Sequence, residues 1–139
     1  MTGPLESKTA LVTGASGGIG RAIAQRLAAA GATVAVHDNS GADRARETDD
    51  LIEQTGGKAF TLQADLMRVA SIDALFDQLD SQFADRGLSG LDILVNNAGK
   101  GNGASIAEVD EALFDSIVAA NMKSTFFVTK AALPRIPAG

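Results

Sequence analysis

The segment Thr13-Gly14-Ala15-Ser16-Gly17-Gly18-Ile19-Gly20 has the composition and spacing of a phosphate-holding turn. A pyrophosphate needs backbone to approach it without Cβ atoms in the way, and it is held by amide donors at a helix start. Glycines at 14, 18 and 20 meet the first need, and a helical period beginning at Gly18 meets the second. The candidate cradle is Gly14, Ser16, Gly17, Gly18, Ile19 and Gly20. Its spacing is G-x-x-x-G-x-G, not the commoner G-x-G-x-x-G.

Asp38 follows the turn by about twenty positions, where a carboxylate would accept hydrogen bonds from ribose hydroxyls. Such a carboxylate repels a 2′-phosphate, and position 17 is not basic, so NAD is the favoured dinucleotide. Arg44 and Arg46 stand near enough in sequence to keep NADP open. His37, the one histidine, is read as a partly exposed residue at a strand end without a catalytic part. Asn121 breaks a pattern. With Ile117, Ser124 and Val128 it shares one helical face, which puts a poor helix former into an apolar stripe where it needs hydrogen-bond partners.

These residues require elements to position them, and the chain alternates strand-like and helix-like stretches. Thr9–Val12 reads as a first buried strand, Thr33–Val36 as a second, and Phe60, Leu62 and Ala64 alternate along a third that ends at Asp65. Leu91–Val95 reads as a fourth strand. Ile19, Ile23, Leu27 and Ala30 mark a helix with Gly31 at its end; Ile72, Leu75, Phe76, Leu79 and Phe83 mark another. Ser40 and Ser71 are the expected N-caps of the second and third helices, and Gly56-Gly57 the stop of the second. A long helical pattern opens at Asp110 and ends near Pro134. Strands alternating with helices in this way imply right-handed crossovers and a Rossmann-like, doubly wound parallel α/β sheet. One domain, 1–139, is expected, with no internal boundary.

Composition narrows the partners. The 139 residues carry a net charge of −5, so no basic face is available for nucleic acid or an anionic membrane surface. The sequence has no cysteine, which removes disulfides, thiolate zinc sites and cysteine nucleophiles; no metal site is expected. No stretch resembles a signal peptide or a membrane span, so a cytoplasmic protein is the expectation.

Together, Thr13-Gly14-x-x-x-Gly18-x-Gly20, Asp65, Asn96-Asn97-Ala98-Gly99 and Asn121 resemble the classical short-chain dehydrogenase/reductase family, in register from about Lys8 to Leu133. The resemblance implies an NAD(P)-dependent oxidoreductase that interconverts a hydroxyl and a carbonyl. It implies that Asp65, with Leu66 beside it, contacts adenine. It also implies that Asn97, Ala98 and Gly99 stabilise the sheet and line the adenosine ribose, and that Asn121 holds a water in a proton relay. Asn96 is read as a structural turn residue.

The family's serine and its Tyr-x-x-x-Lys do not occur in this chain, which has no tyrosine. The expectation is a truncated Rossmann domain with strand order 3-2-1-4 and its second half missing, binding cofactor without turning over alone. The alternative is a non-catalytic dinucleotide-binding module that works through occupancy or a partner. A methyltransferase-like reading is weaker, because Asn96-Asn97-Ala98-Gly99 with Asn121 speaks against it. An exposed fourth strand and an uncovered last helix predict self-association.

Overall fold

The computed structural model describes residues 3–138. Four strands, β1 (Thr9–Val12), β2 (Thr33–Asp38), β3 (Lys58–Gln63) and β4 (Ile93–Val95), form one parallel sheet in the order β3-β2-β1-β4. The helices between them are α1 (Gly18–Ala29), α2 (Ala42–Gln54) and α3 (Val69–Arg86); α4 (Glu111–Val118) and α5 (Ser124–Ala132) follow β4.

The period of two in each strand divides the core between the two faces. Ala10 and Val12 of β1, with Val34 and Val36 of β2, point toward α1 and α2 and pack on Ala24, Ala28, Ala45 and Ile52. Leu11, Ala35, Phe60 and Leu62 point the other way, onto Ile72, Leu75, Phe76, Leu79 and Phe83 of α3 and Val128 and Ala132 of α5. The apolar stripe read for α3 is buried in full. Truncating a residue such as Leu79 to alanine would cost roughly 2–5 kcal/mol.

Two helix starts differ from expectation. β2 runs on to Asp38, so α2 begins only at Ala42, and its N-cap is Gly41 rather than Ser40. Ser71 is not a cap either. The Met67 amide donates to Asp65 Oδ1 at 3.0 Å, which turns the chain early enough for α3 to start at Val69 and leaves Ser71 inside its first turn. Asp110 does cap α4, its Oδ1 accepting from the Leu113 amide at 2.8 Å. The fourth strand is shorter than Leu91–Val95, because the Leu91 amide is held by the Arg135 carbonyl at 2.9 Å instead of a ladder partner.

The long last helix is continuous but not uniform. A π-helical turn at Ala119–Lys123 separates α4 from α5 and contains Asn121. Such single-turn bulges are common at functional sites. α4 carries no buried residue, since β4 is the outer strand of the sheet and offers it little surface. Phe114, Met122, Phe126 and Leu133 are all exposed. Among the described residues no helix is long and apolar enough to cross a membrane.

Candidate functional site

The cleft at the carboxyl ends of the strands gathers most of the residues singled out from the sequence. Gly14 and Ser16 come from the turn after β1, Asp38 from the end of β2, Asp65 and Leu66 from the turn after β3, and Ala98 and Gly99 from the turn after β4. Gly17, Gly18, Ile19 and Gly20 lie beside this cleft, at the opening of α1. Asn97 lies behind it.

The turn's geometry is that of a cradle. Gly14 and Gly18 have φ of 64° and 56°, in the left-handed region where a side chain is strained. A Cβ added to Gly18 would meet nothing within 4 Å, so this left-handed backbone faces open space. Gly20 is needed for a different reason: a Cβ there would collide with the Gly14 carbonyl oxygen. Gly17 stands at the N-cap position of α1 with no side-chain cap, so the first amides of the helix are open to an anion. Ile19, 74% exposed, projects from the same turn.

Three sets of bonds hold the cradle in place. The Thr13 hydroxyl accepts from the Asn97 and Ala98 amides at 3.0 and 2.9 Å. The Asn97 carboxamide donates to the carbonyls of Thr13 and Gly14, both at 3.0 Å, which makes it a brace behind the turn rather than a cleft wall. From α1, Arg21 donates to the Ser16 carbonyl at 2.7 Å and to the Thr48 hydroxyl of α2 at 2.9 Å, and that hydroxyl donates to the Ala15 carbonyl at 2.9 Å. Arg21 and Thr48 were not singled out from the sequence. One signal was there, because Thr48 falls at helical spacing between Ala45 and Ile52 on the buried stripe of α2.

His37 corrects the sequence reading. It is buried, 1% exposed, because β2 is an inner strand and the turns after β1 and β3 close over its end. Its Nδ1 accepts from the Gly14 amide at 3.0 Å, and its Nε2 lies 2.9 Å from the Ala64 carbonyl. Burial lowers its pKa below the ordinary 6.5, outweighing the opposing effects of the Ala64 carbonyl and Asp38.

Asn121 also differs. It is exposed, not set in a buried stripe, because α4 and the π turn pack loosely beyond the outer strand. Its hydrogen bonds are nonetheless complete. Oδ1 accepts from the Lys100 amide at 3.2 Å, and Nδ2 donates to the Lys100 and Ile117 carbonyls at 2.8 and 2.9 Å. A Cβ on Gly99 would collide with this carboxamide, so the last glycine of the Asn-Asn-Ala-Gly turn is matched to it. Asn96, expected to bond nearby backbone, instead donates to the Thr129 hydroxyl at 3.0 Å.

Asp38 is 2% exposed, with Gln63 Nε2 donating to its Oδ2 at 3.4 Å. Arg44, absent from the expected site, lines the same cleft, and its guanidinium lies against Gly17, where a Cβ would strike it. Among the described residues it has no ion-pair partner.

A parallel sheet in the order 3-2-1-4, with a glycine turn leading from its first strand into a helix, defines the first mononucleotide-binding half of a Rossmann-like fold. Residues 8–139 match the short chain dehydrogenase family, and the chain belongs to it. It is 38% identical over 138 residues to elsinochrome reductase 1 of Elsinoe fawcettii, covering 99% of this chain and 50% of that protein. The crystal structure of the angucycline C-6 ketoreductase LanV with bound NADP superposes with a TM-score of 0.96 at 48% identity, covering 100% of this chain and 55% of that one. The reductase LugOII, which catalyses keto-reduction at C1 during lugdunomycin biosynthesis, gives 0.93 at 42% identity, covering 96% and 59%. The chain thus spans about half the length of the relatives it matches. The NAD preference read from Asp38 gains no support from LanV, whose bound cofactor is NADP.

Proposed function

We propose that these 139 residues are the dinucleotide-binding portion of an NAD(P)-dependent oxidoreductase that interconverts a ketone and an alcohol. The carrying observation is the left-handed glycine turn, packed on Ala98 at Gly14 and open to space at Gly18, beside a cleft containing Asp38 and Asp65. The names of the ketoreductase relatives support a ketone as substrate in the reducing direction.

When bound, the nicotinamide supplies hydride to the carbonyl carbon. The residues of this chain hold and orient. The amides opening α1 take the pyrophosphate, Asp38 the adenosine ribose, and Asp65 with Leu66 the adenine; Ala98 and Gly99 form the wall toward Asn121. Asn97 maintains that wall from behind. The family resemblance gives Asn121 a water in the proton relay. The phenol that protonates the carbonyl oxygen has no counterpart in a sequence without tyrosine, so this chain binds cofactor but does not turn over alone.

For the dinucleotide, Asp38 favours the free ribose of NAD, whereas Arg44, with no ion-pair partner among the described residues, offers a cation to the 2′-phosphate of NADP. We propose that the cleft takes both and that Arg44 sets the ratio. Calorimetric titration of each tests this. Arg44→Ala should weaken NADP about tenfold relative to NAD, the scale of one charge-assisted contact; equal effects on the two overturn Arg44's part, and no heat from either overturns the binding proposal.

The second reading is a non-catalytic dinucleotide-binding module that works through occupancy or a partner. A chain extended to carry Tyr-x-x-x-Lys separates the two, since hydride transfer to ketones on extension supports the enzyme. The exposed Phe114, Met122, Phe126 and Leu133 support self-association of the isolated chain, which sedimentation would reveal.

A further inference from the structure

We infer that His37 is a positioning residue for the phosphate turn: its neutral ring ties Gly14 to the end of β3, and a proton on Nδ1 unlatches the turn. This rests on the dinucleotide reading above. The donor pattern fixes the tautomer. The Gly14 amide can only donate, so Nδ1 must present its lone pair across the 3.0 Å contact. The Ala64 carbonyl can only accept, so Nε2 carries the hydrogen across 2.9 Å. Both ring nitrogens are therefore committed, and a ring 1% exposed has no water to substitute for either partner.

The histidine backbone adds a further tie, since its carbonyl accepts from the Ala15 amide at 2.8 Å. One residue thereby holds two consecutive amides of the cradle and, through Ala64, the backbone next to Asp65. The phosphate end and the adenine end of the cleft are coupled through a single imidazole. Protonation would set an N–H against the Gly14 N–H, losing one bond and opposing two donors inside a dry contact.

The charged groups around the cleft are Asp38 on β2, Asp65 after β3, Arg44 on α2 and Lys100 after β4. Asp38 favours the charged ring and burial opposes it more strongly, so the neutral form persists somewhat below pH 6.5. The sign follows from linkage. Dinucleotide binding selects the neutral latch, so affinity is full above the folded-state pKa of His37 and falls as pH drops through it.

The test uses the full chain, with calorimetric titration of NADP and of NAD from pH 8 to 5. The wild type should lose up to about tenfold in affinity per pH unit at the acid end. His37→Asn keeps an acceptor for Gly14 and cannot titrate. It should bind within about threefold of wild type at pH 8 and lack the histidine part of the acid loss, titration of the ligand itself being common to both proteins. His37→Leu, which removes both contacts, should bind about tenfold more weakly at every pH. Should the leucine variant fail to fold, the asparagine variant and NMR still decide. In ligand-free protein the imidazole nitrogens should report an Nε2–H tautomer, and the Gly14 amide resonance should titrate with His37 in wild type and not in His37→Asn. Superposable pH profiles for wild type and His37→Asn, an Nδ1–H tautomer, or a Gly14 resonance indifferent to His37 would overturn the latch. Absence of binding by wild type at pH 8 would sink the dinucleotide reading, and the ligand-free NMR would still judge the latch.

Discussion

The side chain of Asn121 engages both backbone polar groups of Lys100, accepting from its amide at 3.2 Å and donating to its carbonyl at 2.8 Å. A residue in the π turn thus fixes the segment that leaves Asn-Asn-Ala-Gly, where Lys100 continues the cleft wall. Asn121→Ala should free this segment. The groups left behind can be hydrated, so the stability loss should stay near 1 kcal/mol, while exchange of the Lys100 amide should rise severalfold. An amide that remains protected in the variant would mean that something else holds the segment.

The glycines of the turn should not be equivalent. Gly20→Ala places a methyl group into the Gly14 carbonyl, a rigid backbone atom, and should cost several kcal/mol or prevent folding. Gly18→Ala meets open space and incurs only the left-handed backbone penalty, about 1–2 kcal/mol. Denaturant midpoints of the two variants should therefore differ clearly. The milder variant should still lose dinucleotide affinity, because its new methyl projects where the ligand backbone must pass.

Asp38→Ala should weaken NAD and narrow the gap between NAD and NADP, since the carboxylate both accepts from the ribose and repels a 2′-phosphate. Competition between the two dinucleotides on one sample reads this directly. A variant that loses both equally would assign Asp38 to the fold alone.

Asp80 gives an acid-stability prediction. Arg135 donates to both of its oxygens at 2.7 Å, and that bonding holds its carboxyl below the ordinary 3.8. A lowered carboxyl pKa contributes stability that is present above 3.8 and lost as pH falls through the folded value. The Asp80 side chain is 50% exposed, so the contribution is discounted to under about 1 kcal/mol. Asp80→Asn should reduce stability slightly at pH 7 and flatten the acid limb below pH 4; an unchanged limb would show the pair to be inert.

The strands and the α3 face were legible because they depend on local period. Ile72, Leu75, Phe76, Leu79 and Phe83 face one way in any helix of that sequence, and the sheet supplies the matching surface. The starts of α2 and α3 were not, because Ser40 and Ser71 are good caps in isolation and lost to a longer β2 and an earlier Asp65 turn. His37 was misread for a related reason. Its partners, Gly14 and Ala64, lie 23 and 27 positions away and meet it only through two crossovers. Asn121 was read as a polar residue in a buried stripe, whereas its exposure follows from the π turn and the weak support of an outer strand. Asn97 was placed at the cleft, although the direction of its carboxamide depends on the turn behind it.

The two faces of the sheet are filled unequally. Toward α3 the core is leucine and phenylalanine; toward α1 and α2 it is largely alanine, with Ala10, Ala15, Ala24, Ala28, Ala32, Ala45 and Ala59 all buried. Methyl groups leave no slack and bring α1 close to β1, so the thickness of this layer acts as a spacer that sets the height of the helix mouth above the strand ends. Enlarging Ala24 to leucine would lift α1 as a rigid rod and carry the anion-holding amides away from Asp38. On the dinucleotide reading proposed above, ligand affinity should therefore depend on side-chain volume beneath the helix, at positions the ligand does not reach.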